Sequence, residues 1–63
     1  MKIYDSIVSR ILERSTLDGI LQQIEIERRM AARGGRQEEP ETLNYIAHLE
    51  EAATRMAKGG AFA

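Results

Sequence analysis

The residues best suited to chemistry are four arginines in a short stretch, Arg28, Arg29, Arg33 and Arg36, which no acidic residue interrupts. On a helix Arg29 and Arg33 share one face. The cluster therefore predicts an anion-binding patch for RNA, DNA or an acidic protein surface. The alternative is that the arginines complement the dipole at the end of a helix and otherwise lie in solvent. The net charge of −1 and the lack of an aromatic residue among them make nucleic acid the less favoured partner.

His48 is the only histidine, and Glu51 follows it at a spacing that places both on a similar face of a helix. In a dimer, two such pairs would supply ligands for a metal. Di-iron bundles, however, carry Glu three residues before His, and here that position is Tyr45. A single helical histidine is usually an exposed surface residue. We therefore predict no metal and no other cofactor.

Catalysis is not expected from these residues. The chain has no Cys, which excludes disulfides and thiolate zinc sites. Gly34 and Gly35 are adjacent, whereas a phosphate-binding loop needs two glycines five apart, followed by Lys and Ser or Thr. There is no plausible Ser-His-Asp set, and a small helical chain lacks the concave volume of a substrate pocket.

The elements that position these residues are helices. Apolar residues recur at helical spacing and predict helices at about 3–14, 16–33 and 40–58, with a flexible tail over 59–63. The apolar stripes of the three helices are Ile3, Ile7, Val8, Ile11 and Leu12; Leu17, Ile20, Leu21 and Ile24; and Leu43, Ile46, Leu49, Ala53 and Met56.

Two breaks separate these helices. The apolar stripe changes direction at Ser15-Thr16, where Ser15 with Asp18 is typical of an N-cap; the alternative is one kinked helix over 3–33. Gly34-Gly35 predicts a helix end, because glycine adopts the left-handed conformation. Pro40 predicts a helix start, because its missing N–H needs no partner in the first turn.

The predicted fold is a single all-α domain, residues 1–63. Its helices 16–33 and 40–58 form an antiparallel hairpin, with a short N-terminal amphipathic helix. A chain of 63 residues has too small a core to be comfortably stable alone, and small domains without disulfides or metals are usually completed by association. We therefore expect a homo-oligomer, docking on a larger protein, or both.

Apolar residues that lie off the stripes predict the partner-binding residues. Ile26 and Met30 are left over when the second helix packs in the hairpin, and Arg29 and Arg33 flank them; Met and Arg are enriched at interfaces. Scattered exposed apolar residues are the alternative. For self-association, or for docking of the N-terminal helix, the candidates are Ile3, Ile7, Val8 and Ile11.

Charge and hydropathy indicate the kind of partner and the cellular location to expect. Residues 1–37 carry seven basic and five acidic residues (+2), and residues 38–63 carry two and five (−3). Such asymmetry is typical of a surface for a partner of opposite sign. Neither a secretory signal nor an apolar run long enough to span a membrane is visible. We expect a cytoplasmic protein.

The last two thirds of the chain resembles the small two-helix phosphatases that act on phosphorylated response regulators. Ile24 to Met30, the loop and Glu39 to Leu43 follow that family's layout. The family's Ser-Gln-Glu-Leu-Asp signature is replaced by Ile46 to Glu50, in which only Leu49 is identical. The resemblance therefore implies a helical pair and transfers no site residue.

These observations favour a small non-enzymatic interaction module that acts as a regulator, inhibitor or assembly subunit. The alternative is a nucleic-acid-binding helical dimer that uses the arginine cluster.

Overall fold

The computed structural model describes residues 2–59, which form three helices. They are α1 (Asp5–Arg14), α2 (Leu17–Gly34) and α3 (Pro40–Gly59). No strand occurs among residues 2–59, which confirms the all-helical prediction. Gly59, which was assigned to the tail, belongs to α3, and the rest of the predicted tail, 60–63, lies outside the described residues.

The helical conformation is interrupted between α1 and α2, so residues 3–33 do not form one kinked helix. Ser15 is extended, with φ −130° and ψ 153°. Thr16 is the N-cap, and its Oγ1 accepts a hydrogen bond from the N–H of Gly19 at 3.1 Å. The prediction of Ser15 as the cap is therefore wrong. Because α2 begins at Leu17, Thr16 is the residue whose hydroxyl lies over the free N–H groups of the first turn.

Substitution at the α1–α2 junction distinguishes the two candidate caps. Thr16→Ala removes the acceptor of the Gly19 N–H, and we expect it to lower the free energy of unfolding by about 1 kcal/mol. Ser15→Ala, the matched control one residue away, is expected to change it by less than about 0.5 kcal/mol. Urea titration followed by circular dichroism measures both. A larger loss in the Ser15 variant would contradict the assignment.

The stretch between α2 and α3 is a turn between two helix ends. Gly35 has φ 68° and ψ 27°, the left-handed conformation that closes α2. The N–H of Arg36 then donates to the carbonyl of Ala31 at 2.7 Å. Helix α3 begins at Pro40, and the N–H of Leu43 donates to the carbonyl of Glu39 at 3.0 Å. Glycine and proline thus act here as the sequence predicted.

Helix α3 is the central element, because it packs against both α1 and α2. Ala52 and Ala53 are buried on it, and their small side chains let the neighbouring helices approach closely. Leu21 and Leu43, both placed in the predicted stripes, are 51% and 40% exposed. The buried core consists of Val8, Ile20, Leu49, Ala52 and Ala53, surrounded by the partly buried Ile11, Leu12, Leu17, Ile24 and Met56.

Candidate interaction surfaces

His48 is a buried anchor on α3, with 1% of its surface exposed. Its Nε2 accepts a hydrogen bond from the backbone N–H of Tyr4 at 2.9 Å. Its Nδ1 lies 2.7 Å from the carbonyl oxygen of Asn44. A carbonyl only accepts, so the ring carries its proton on Nδ1, and each ring nitrogen has one partner. The prediction of an exposed surface histidine is therefore wrong.

The Tyr4 side chain completes this anchor. Its ring lies parallel to the His48 ring, with an interplanar angle of 4° and centroids 6.2 Å apart. Lys2 Nζ lies 5.5 Å from the centre of the Tyr4 ring, within the range of a cation–π contact. The segment that leads into α1 is thus held on α3 by a hydrogen bond and a stacked pair.

The same contacts leave His48 without a free nitrogen for the suggested His48–Glu51 metal pair. Both nitrogens of His48 have hydrogen-bond partners, and a carboxylate oxygen of Glu51 accepts from Arg55 Nε at 2.8 Å. Within residues 2–59, no group of three or more metal-binding side chains comes together. The geometry of this site therefore supports a structural role.

Arg55 forms a second link between α1 and α3. One of its terminal nitrogens donates to Asp5 Oδ1 at 2.7 Å, while its Nε donates to Glu51. The hydrogen bond to Asp5, and to a smaller extent the one to Glu51, raise the pKa of Arg55, because both carboxylates favour the charged guanidinium. Asp5 is the first residue of α1. The ion pair therefore joins the start of α1 to α3, although exposed pairs of this kind contribute little to stability.

The arginine cluster is divided by its ion pairs. Arg28 binds Glu50 on α3, and Arg29 binds Glu25 one turn earlier on α2 at 3.0 Å. Within the described part of the chain, Arg33 has no such pair. Two of the four charges are thus opposed by carboxylates, which reduces the attraction for phosphate that the sequence suggested.

One face of α2 carries the four residues predicted for a partner. Ile26 and Met30 lie one turn apart and are 41% and 51% exposed. Arg29 and Arg33 lie beside them and are also exposed. The buried positions of α2 lie on the other side of the helix. We call Ile26, Arg29, Met30 and Arg33 the open face of α2.

The N-terminal candidates divide between core and surface. Val8 is completely buried in the core, and Ile11 packs against it. Val8 therefore matches the docking alternative, because it holds α1 against α3, and it is not exposed to a second molecule. Ile3 and Ile7 remain 37% and 43% exposed. Of the two roles suggested for this group, Val8 and Ile11 perform docking of the N-terminal helix.

Comparison of the chain with known protein families, curated proteins and solved structures found no match. The resemblance to two-helix phosphatases thus depends on the shared residues alone. Among the described helices, none is long and apolar enough to cross a bilayer. The exposed surfaces of the molecule are the basis for a functional proposal.

Proposed function

We propose that this chain is a small non-enzymatic protein–protein interaction module and that the open face of α2 is its recognition surface. The observation that carries the proposal is the exposure of Ile26 and Met30 side by side, with arginines next to them. Exposed apolar side chains with Arg and Met are typical of interface centres. In this proposal the protein acts in the cytoplasm as a regulator, inhibitor or assembly subunit.

The scaffold behind this surface supports the proposal. Helices α2 and α3 pack against each other and are joined by only five residues, 35–39. Short connections of this kind favour antiparallel neighbours, so we infer an antiparallel hairpin to which α1 is added. Only seven apolar residues are buried among residues 2–59. Association would add to a core of this size.

Nucleic-acid binding by a helical dimer is the second candidate. It depends on Arg33 and Arg36, since Arg28 and Arg29 are paired with glutamates. Phosphate contacts give an affinity that falls steeply with salt. Titration of labelled RNA and DNA at low and high salt tests this candidate, and absence of binding at low salt would eliminate it.

The central test of the proposed function is Met30→Glu. We expect helicity and thermal stability to be unchanged, because Met30 is half exposed. Capture of the partner from the native source should fall at least about tenfold, which corresponds to 1.4 kcal/mol, because a carboxylate would be buried in an apolar contact. Quantitative affinity capture and circular dichroism measure the two effects.

Leu21→Glu is the matched control for this test. Leu21 lies on the same helix, has the same exposed fraction of 51% as Met30, and is nine residues away, half a turn around the helix. We expect capture by this variant to remain normal. Normal capture by Met30→Glu together with loss in Leu21→Glu would move the recognition surface to the other side of α2.

A further inference from the structure

We propose that the partner of the open face is a second copy of this chain, with the two α2 helices packed antiparallel about a two-fold axis. This inference rests on the proposed function and specifies its partner. Three features of α2 point to this partner: the order of its charges, the position of its exposed apolar residues and the symmetry that a pair of identical surfaces requires.

The charges on the exposed side of α2 are separated along the helix. Asp18, Gln22 and Glu25 are exposed in the first half, at steps of four and three residues. Arg29 and Arg33 continue the same stripe in the second half. Steps of three and four keep side chains on one side of a helix. The stripe is therefore acidic or neutral toward its N-terminal end and basic toward its C-terminal end.

The apolar residues lie at the middle of this stripe. Along the helix, Ile26 follows the last acidic residue of the stripe, Glu25, and Met30 precedes the last basic residue, Arg33. About half of each apolar side chain is open to solvent. An interface between identical surfaces is strongest when its apolar residues lie near the symmetry axis, since both copies then bury them against each other. The position of Ile26 and Met30 meets this condition.

Antiparallel packing also brings opposite charges together. If the axis passes at the level of residue 27, Arg29 of one copy lies opposite Glu25 of the second copy, and Arg33 lies near Gln22. Parallel packing would instead place acidic half against acidic half and basic half against basic half, which is unfavourable. The charge order therefore favours the antiparallel orientation, in which Glu25 and Arg29, already paired within α2, also face their counterparts in the second copy.

The size of this surface sets the strength of the dimer. Specific stable interfaces bury about 800 Å² on each partner, and smaller ones belong to weak, transient encounters. One face of an 18-residue helix with two half-exposed apolar residues belongs to the second class. We infer a reversible dimer that forms with rising concentration and weakens with salt, because its charges are exposed.

Sedimentation equilibrium over the micromolar to millimolar range tests the proposal with charge reversals. Glu25→Arg and Arg29→Glu each place like charges across the axis twice, and we expect each to weaken the dimer at least about tenfold. The double variant Glu25→Arg with Arg29→Glu restores opposite charges and should return to within about threefold of the wild type. Circular dichroism checks the helicity of every variant, because the reversals also change the Glu25–Arg29 pair within α2.

Three results would overturn the inference. The first is a monomer at every concentration. The second is a dimer that persists in both single charge-reversal variants. Disruption of that dimer by Ile7→Glu would then place its interface on α1. The third is a double variant that stays as weak as the singles. None of these results decides the proposed function, which is tested separately by the loss of partner capture in Met30→Glu.

Discussion

Replacement of His48 by alanine is expected to remove most of the folding stability. The substitution deletes a side chain that is 1% exposed and leaves the Tyr4 N–H without its acceptor. The Asn44 carbonyl loses its contact with the imidazole but remains within the backbone hydrogen bonds of α3. Loss of a large buried side chain lowers the free energy of unfolding by about 3–5 kcal/mol, and the unpaired N–H of Tyr4 adds to that loss. A domain of this size is expected to have roughly 3–9 kcal/mol in total.

Denaturant titration and thermal melting followed by circular dichroism measure this effect. Tyr4→Ala is the informative control, because it removes only the stacked ring. The backbone N–H of residue 4, from which His48 accepts a hydrogen bond, is kept. We expect it to lower the unfolding free energy by about 1 kcal/mol. A His48→Ala variant as stable as Tyr4→Ala would show that the histidine does not anchor the N-terminal segment.

The second large effect is expected at Ile20, which is 1% exposed in the centre of the core. Ile20→Ala leaves a cavity and should lower the unfolding free energy by about 2–5 kcal/mol. The next residue, Leu21, is 51% exposed, and Leu21→Ala should change it by less than about 1 kcal/mol. Comparison of the two urea midpoints tests which side of α2 faces α3. Equal losses would contradict the described packing of α2.

The helices and their ends were largely predictable from the sequence because local rules determine them. Gly35 closes α2 in the left-handed conformation, and Pro40 opens α3, as each residue type favours. The junction at Ser15-Thr16 was also visible as a change in the direction of the apolar stripe. The sequence did not show that Thr16 rather than Ser15 is the cap, because both residues carry a hydroxyl. Only the observed first residue of α2 distinguishes them.

The apolar contacts that attach α1 use Val8 and Ile11, which the sequence identified. The polar contacts of the same attachment were not predictable, because they lie outside the apolar stripe of α3. Ile46 and Leu49 belong to the apolar stripe of α3, and α2 supplies the neighbouring buried positions Ile20 and Ala31. The polar contacts with the N-terminal segment use His48 and Arg55. Apolar periodicity cannot detect a buried face made of polar and small side chains.

The candidate surface was predictable in part. Ile26 and Met30 were identified because they lie off the apolar stripe of α2, and both are exposed in the structure. The pairing of Arg28 with Glu50 was not identified, since the two residues are 22 positions apart and meet only after α2 packs on α3. A sequence pattern records charges within one helix and does not record which charges face each other between helices.

The anchoring of α1 has a consequence for the order in which the chain acquires structure during synthesis. The hydrogen bond between Tyr4 and His48 joins residues 44 positions apart, and the pair of Asp5 and Arg55 joins residues 50 positions apart. Chains are made from the N-terminus at about 5–20 residues per second. Helix α1 is therefore made before α3, and the surface that it packs on α3 stays uncovered until most of the described chain has been synthesised.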